Sequence, residues 1–126
     1  MAAAAPKVLI IEDDVLMMDI YSTVMSAAGC QVLKAWDGEE GLKVVAEQTP
    51  AVILLDLVMP RLTGFEVLER LKGDTATRGI PVMVVSNLAD DKNIGSAMSR
   101  GADKFFAKTR YTPREICANV LECLTR

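Results

Sequence analysis

The chain has 126 residues, of which 51% are hydrophobic and 25% are charged, and its formal net charge is −3. This size and composition predict one globular domain whose core needs no disulfide or metal. The mixed, slightly acidic charge excludes the basic surface of a nucleic-acid-binding protein, and the absence of histidine excludes Ser-His-Asp or Cys-His catalysis and any histidine-ligated metal.

The N-terminal segment, MAAAAPK, has no basic region and no long apolar stretch, as a signal peptide would have. No run approaches the roughly 18 apolar residues of a membrane span. We therefore expect residues 1–6 to form a flexible tail, residues 7–126 to form the domain, and the protein to be cytoplasmic. Cys30, Cys117 and Cys123 lack a CxxC spacing, which favours reduced thiols.

Short apolar runs alternate with amphipathic segments along the domain, which predicts five repeats of strand then helix. The runs are rich in Val, Ile and Leu, and three of them show little alternation, as strands buried on both faces do. The predicted strands are residues 7–11, 31–35, 51–56, 81–86 and 104–107.

Start and stop signals delimit the helices between these strands. Glycines are expected to end the first helix, over 15–28, and the fourth, over about 91–100. Capping boxes predict a second helix from 37 to about 48 and a third from 63 to about 72. The fifth helix is predicted from a cap, a first-turn proline and one apolar face: Thr112, Pro113, Ile116, Val120 and Leu124.

Right-handed crossovers turn such repeats into a parallel sheet with helices on both faces. Ligands then bind beyond the carboxyl ends of the strands. The polar residues at those ends are therefore the candidates for a site: Glu12, Asp13 and Asp14 after the first strand, Asp56 at the end of the third, Ser86 and Asn87 at the fourth, and Lys108 after the fifth.

Three carboxylates gathered at one edge raise one another's pKa and oppose folding unless a cation joins them. Mg²⁺ prefers a few carboxylates, water and a phosphate oxygen. With the positive charge of Lys108 and the hydroxyl of Ser86, these groups suit a phosphoryl site in which one carboxylate acts as the nucleophile.

Each residue taken alone also fits a simpler interpretation. Residues 12–14 fit a cluster that caps the first helix, and Asp56 fits a turn residue before Pro60. Ser86 and Lys108 fit a loop hydroxyl and a solvated charge. The coincidence of suitable residues at four strand ends favours the site.

These residues also carry a resemblance to a known family. The segments VLIIEDD, VILLDLVMPRLTG, PVMVVS and GADKFFAK are similar to those of the receiver domain of bacterial two-component response regulators. The pattern D-x-x-M-P-x-x-x-G, from Asp56 to Gly64, is specific, and the likeness extends from Lys7 to Leu124. It implies a flavodoxin-like α/β fold, doubly wound (βα)5, with strand order 2-1-3-4-5.

The resemblance also implies a role for each site residue. Asp56 would accept a phosphoryl group, Lys108 would pair with its oxygens, and Ser86 would donate a hydroxyl and move. Phe105 would be the aromatic switch that turns inward with Ser86. Mg²⁺ would be held by Asp13, by Glu12 through water, by Asp56 and by the Val58 carbonyl, and Asp14 is a candidate for a supporting role.

The implied partners are a histidine kinase or a histidine phosphotransfer protein, which would supply the phosphoryl group, and a downstream protein bound by the face of helix 4, strand 5 and helix 5. No direct binding to nucleic acid or to a membrane is expected. The chain is expected to be a monomer or weak homodimer. It would not be an enzyme beyond Mg²⁺-assisted self-phosphorylation and slow self-dephosphorylation.

Three positions depart from the family pattern. Thr109 replaces the usual proline after the lysine, so we predict a trans Lys108–Thr109 bond and a re-routed loop, with Lys108 still reaching the site. Asn87 replaces a small residue and would crowd the phosphoryl site or alter the access of attacking water. Phe105 lacks the hydroxyl of a tyrosine, so an inward ring makes no hydrogen bond.

The sequence leaves two alternatives open. An interaction module that keeps the fold but is not switched by phosphate would fit Thr109 and Asn87. The second alternative is a different enzyme or cofactor-binding protein with a similar fold. A flavodoxin is disfavoured because its phosphate loop would here be acidic, and a haloacid-dehalogenase-type phosphatase is disfavoured because Val58 stands where a second Asp is needed.

Overall fold

The sheet is the framework on which the candidate residues are placed. In the computed structural model, which describes residues 5–124, the strands are β1 (Lys7–Ile11), β2 (Gln31–Ala35), β3 (Val52–Asp56), β4 (Val82–Ser86) and β5 (Lys104–Ala107). They form one parallel sheet in the order β2-β1-β3-β4-β5, which confirms the expected topology. Residues 1–4 of the expected tail and 125–126 of the expected domain lie outside the described residues.

A helix follows each strand, as predicted. The helices are α1 (Val15–Ala27), α2 (Gly38–Gln48), α3 (Gly64–Gly73), α4 (Asp91–Ser99) and α5 (Pro113–Leu124). Their ends lie within a residue or so of the predicted ones, and Gly29 and Gly101 follow α1 and α4 with φ of 93° and 103°. Within residues 5–124, no helix is both long and apolar enough to cross a bilayer.

The two faces of the sheet bury two separate apolar layers. Alternation along the strands sends Val8 and Ile10 toward α1 and α5, and Leu9 and Ile11 toward α2, α3 and α4. Burial is complete in the central strands β3 and β4, whereas the edge strand β2 is partly exposed. The predicted two-sided burial is therefore confirmed, and it holds the carboxyl ends of β1, β3 and β4 rigidly side by side.

Side-chain caps set where the helices begin. The capping box predicted for α3 is present, because the Thr63 hydroxyl accepts from the Glu66 amide while the Glu66 carboxylate accepts from the Thr63 amide. Thr112 and Glu115 exchange the same pair of bonds at α5. These caps satisfy amides that the first turn of a helix otherwise leaves without partners.

The backbone is strained at the end of α2, a feature that the sequence did not predict. Thr49 caps the helix with φ 45° and ψ 71°, a left-handed conformation that a β-branched residue adopts at a cost. Thr49→Gly is expected to raise the free energy of unfolding by about 0.5–1 kcal/mol, measured by urea denaturation. Thr49→Ala keeps a Cβ and serves as the control; an equal gain from alanine would show that the strain is not the cause.

The three cysteines are free, as predicted. Cys30 and Cys117 are buried in the layer that α1 and α5 form with the sheet, and Cys123 is half-buried. Burial raises the pKa of the Cys117 thiol to about 11 and also raises the pKa of Cys30. Both thiols therefore stay protonated at neutral pH and act as small apolar groups of the core.

Candidate functional site

The predicted convergence of strand ends is present. Glu12 follows Ile10 by two residues and Asp56 follows Leu54 by two, so both carboxylates continue the files of side chains on the α1 and α5 side of the sheet. Lys108 continues the same file after Phe106 on β5. The side chains of Glu12, Asp56 and Lys108 therefore lie together at the carboxyl edge of the sheet.

Lys108 joins the two buried carboxylates. Its Nζ donates to Glu12 Oε1 at 2.9 Å and to Asp56 Oδ2 at 3.3 Å. There is no cis peptide bond among residues 5–124, so the predictions of a trans Lys108–Thr109 bond and of a lysine that still reaches the site are confirmed. The re-routing of the loop stays a prediction.

Backbone amides hold the remaining carboxylate oxygens. Asp56 Oδ1 accepts from the Val58 amide at 3.1 Å, and Glu12 Oε2 accepts from the Asp13 amide at 3.1 Å. The side chains of Glu12 and Asp56 are 1% and 8% exposed. Each buried carboxylate therefore accepts one bond from a backbone amide and one from the side chain of Lys108, which the two carboxylates share.

The pKa values of Glu12 and Lys108 depend on burial and on the charged groups beside them. Burial raises the pKa of Glu12 to about 8, the hydrogen bond and charge of Asp56 contribute to the rise, and Lys108 opposes it. Burial lowers the pKa of Lys108, but its hydrogen bond with Glu12 and the charges of both acids outweigh that effect, so its pKa is raised overall. The like-charge conflict expected from the sequence is thus present, and it falls on Glu12.

The acids fit a divalent cation. One oxygen from each of Glu12, Asp13 and Asp56 lies within 4.8 Å of the others. Asp13 is exposed, whereas Glu12 and Asp56 are buried. The cluster of three acids is therefore open to solvent on the side of Asp13 and closed by protein on the other side. A hard cation that keeps several waters, such as Mg²⁺, suits such a half-open oxygen site.

An open pocket of about 530 Å³ lies over these groups. It is lined by Asp13, Asp14, Asp56, Val58, Asn87, Leu88 and Lys108. Asp14 also accepts from the amides of Leu16 and Met17, so the simpler interpretation as a helix cap holds for this residue. Leu88 was not predicted from the sequence, although its place directly after Asn87 is a signal for it.

Four predicted residues do not line the pocket. Glu12 and Ser86 are buried, Thr109 is exposed in the following turn, and Phe105 is half-buried against the layer of α2, α3 and α4. The Ser86 side chain is fully buried, and its Oγ accepts from the Leu88 amide at 2.9 Å. Ser86 and Phe105 share one face of the sheet, since Phe105 pairs with Val84, two residues before Ser86.

Gly64 shapes the loop that carries Val58. The Gly64 amide donates to the Leu57 carbonyl at 3.0 Å, and a Cβ at this position would lie 2.5 Å from the Leu57 Cα and against the Asp56 carbonyl. These obstacles are backbone atoms, which cannot rotate away. The glycine of the D-x-x-M-P-x-x-x-G pattern is therefore required by this close approach.

Gly64→Ala is expected to lower the free energy of unfolding by about 2–3 kcal/mol, because the methyl group must displace the end of β3. Urea denaturation measures this loss. Gly95→Ala is the matched control: Gly95 lies inside α4 with open space around it, so alanine there should stabilise by about 0.5–1 kcal/mol. A Gly64→Ala variant as stable as the wild type would contradict the close approach.

Comparison with known proteins gives the class to which this fold and site belong. A family model described as the response regulator receiver domain matches residues 8–121. The chain therefore belongs to the receiver-domain family of two-component systems, which is not a family of catalytic enzymes. The predicted family and the flavodoxin-like fold are both confirmed.

Individual relatives agree with this assignment. The chain is 34% identical over 121 residues to the DNA-binding dual master transcriptional regulator RpaA of Synechocystis sp., covering 96% of this chain and 50% of that protein. The chain thus spans about half the length of that relative.

Among solved structures, the receiver domain of the Francisella response regulator 1452 matches with a TM-score of 0.88 and 27% identity over 96% of this chain and 98% of that one. The Vibrio cholerae chemotaxis protein CheY4 matches with a TM-score of 0.87 at 23% identity, covering 95% of this chain and 99% of that one, a likeness in fold alone.

Proposed function

We propose that the chain accepts a phosphoryl group on Asp56 from the phosphohistidine of a histidine kinase or a histidine phosphotransfer protein. The observation that carries this proposal is the Asp56 carboxylate itself. It is buried at a strand end, lines an open acidic pocket, and is bridged to Glu12 by Lys108. A charged nucleophile beside a mobile cation is what phosphoryl transfer needs.

In the transfer, an oxygen of Asp56 attacks the phosphorus and the phosphorus–nitrogen bond of the donor breaks. The bonding electrons leave on the imidazole nitrogen, and Asp56 becomes an acyl phosphate. Lys108 moves its Nζ from Asp56 to the phosphoryl oxygens, which frees the attacking carboxylate. The Val58 amide keeps the carboxylate oriented during this exchange, because it belongs to the backbone rather than to a flexible side chain.

The residues that would hold Mg²⁺ are Asp13 and Asp56 directly, Glu12 through water, and the Val58 carbonyl. The carboxylate cluster and the hard-ligand preference of the ion support this assignment. Bound Mg²⁺ would supply positive charge that offsets the negative charge of the phosphoryl oxygens. Lys108 would provide further positive charge for the same oxygens.

Ser86 would carry the signal away from the site. Its Oγ accepts one bond from the Leu88 amide and retains a proton to donate to a phosphoryl oxygen. A shift of Ser86 would open room on the same face of the sheet for Phe105 to turn inward. Such a local change in charge biases a two-state element.

The downstream partner would be a protein that binds the face of α4, β5 and α5. Asn87 would restrict the access of attacking water to the acyl phosphate, which makes self-dephosphorylation slow. We propose a cytoplasmic protein that is a monomer or weak homodimer and makes no direct contact with nucleic acid or membrane. The DNA-binding function named for RpaA belongs to a protein about twice as long.

Acetyl phosphate, a small phosphodonor, tests the proposal. Incubation with acetyl phosphate and Mg²⁺ should add one phosphoryl mass to the intact protein, and chelation of the metal with EDTA should prevent it. No gain in mass together with no Mg²⁺ binding would favour the alternative, an interaction module that phosphate does not switch.

A further inference from the structure

One buried polar group takes no part in the contacts of the site. Among residues 5–124, the Tyr21 hydroxyl is the buried side-chain polar atom that has no hydrogen-bond partner. The residue is 2% exposed. Buried hydroxyls without partners are costly and rare, so this one calls for a physical reason.

The position of Tyr21 on α1 points its hydroxyl toward the carboxyl edge of the sheet. Helical side chains lean toward the N-terminus of their helix, and α1 begins at that edge. Tyr21 packs in the layer that contains Ile10 and Leu54, and these precede Glu12 and Asp56 by two residues on the same face. The hydroxyl is therefore directed toward the end of this layer at which the two buried carboxylates lie.

Electrostatics agree with this placement. Burial raises the pKa of Tyr21 most, and the charges of Glu12 and then Asp56 raise it further. Cys117 on α5 and Asp14 at the start of α1 raise the pKa of Tyr21 by smaller amounts. Glu12 and Asp56 are therefore the carboxylates whose charges act most strongly on this hydroxyl.

We propose that Tyr21 is a positioning residue whose hydroxyl donates to the Glu12 carboxylate when the site holds Mg²⁺. Glu12 shares its lysine with Asp56, and Mg²⁺ held among the acids would repel the ammonium group of Lys108, so a lysine that turns away leaves Glu12 short of one donor. Tyr21 replaces that donor and keeps the carboxylate directed at the metal. This proposal rests on the metal site of the proposed function, but not on phosphoryl transfer.

Tyr21→Phe tests the proposal because it removes only the hydroxyl. The chain has two tyrosines, and Tyr111, which is 39% exposed and packs edge-on against Phe106, provides the matched control Tyr111→Phe. Titration calorimetry should show Mg²⁺ binding about tenfold weaker in Tyr21→Phe and unchanged in Tyr111→Phe. In protein labelled with ¹³C at the tyrosine ring carbon that bears the hydroxyl, Mg²⁺ should shift the Tyr21 signal only.

Stability supplies a second readout. If the hydroxyl gains a partner in the Mg²⁺ form, Tyr21→Phe lowers the urea midpoint with Mg²⁺ present. A raised midpoint with Mg²⁺, or wild-type Mg²⁺ affinity in Tyr21→Phe, would overturn the role of Tyr21 and leave the metal site standing. Absence of Mg²⁺ binding in the wild type would overturn both, so the two failures are distinguishable.

Discussion

Asp56→Asn is expected to abolish phosphoryl uptake from acetyl phosphate completely. The amide is nearly the same size as the carboxylate and can still accept from the Val58 amide, so the fold is kept. Its oxygen lacks the negative charge of a nucleophile, and the variant brings one fewer carboxylate to the cluster. Intact mass spectrometry measures the loss, and Mg²⁺ affinity should fall in parallel.

Asp91→Asn is the matched control for this experiment. Asp91 is exposed in the first turn of α4, away from the pocket, so the same chemical change there should leave uptake at the wild-type level. Uptake that persists in Asp56→Asn at the wild-type rate would mean that another residue accepts the group. The proposed role of Asp56 would then be wrong.

Lys108→Met is expected to destabilise the metal-free protein by about 2–3 kcal/mol. Methionine keeps most of the stem but removes the charge that links Glu12 and Asp56, and breaking a buried ion pair leaves uncompensated charge behind. Uptake of a proton by Glu12, whose pKa is already raised, limits the loss. Saturating Mg²⁺ should reduce the difference from wild type, because the cation replaces the missing positive charge.

Lys72→Met separates this effect from the general cost of losing a lysine. The Lys72 side chain is 17% exposed, against 15% for Lys108, and it donates to Asp103 and to two backbone carbonyls far from the pocket. The loss of stability in Lys72→Met, measured by urea denaturation, should be the same with and without Mg²⁺. An equally Mg²⁺-independent loss for Lys108→Met would show that Lys108 does not share charge with the metal site.

The fold and the meeting of the strand ends could both be predicted from the sequence. Uniformly apolar runs such as 51–55 specify central strands of a parallel sheet, and a charged residue that ends such a run must lie at the carboxyl edge. The amino-acid pattern alone therefore predicts that Asp56 and Lys108 lie together. Their roles in phosphoryl transfer stay predictions.

Other features depend on three-dimensional detail that a pattern of residue types does not contain. The left-handed conformation of Thr49 follows from how α2 meets β3, not from its own propensity. Asp14 was a candidate for both the cap and the site, and only the bonds to Leu16 and Met17 establish the cap. Tyr21 resembles any other apolar position of an amphipathic helix, and its hydroxyl loses its partners only through tertiary packing.

The trans Lys108–Thr109 bond bears most directly on whether the site is complete. The loss of the family's usual proline raised the question of whether Lys108 would still reach Asp56, and its Nζ lies 3.3 Å from Asp56 Oδ2. The lysine amide is also tied to the Ser86 carbonyl at 3.0 Å. This bond to β4 fixes the start of the loop without help from a proline.

Locating the phosphoryl group within the chain tests the central claim most directly. Protein treated with acetyl phosphate and Mg²⁺ can be reduced with borohydride, which converts an aspartyl phosphate into homoserine, and then mapped by peptide mass spectrometry. The proposed function predicts homoserine at position 56 and at no other aspartate. Homoserine at a different aspartate, or a phosphoryl group on a hydroxyl side chain with Asp56 unchanged, would contradict it.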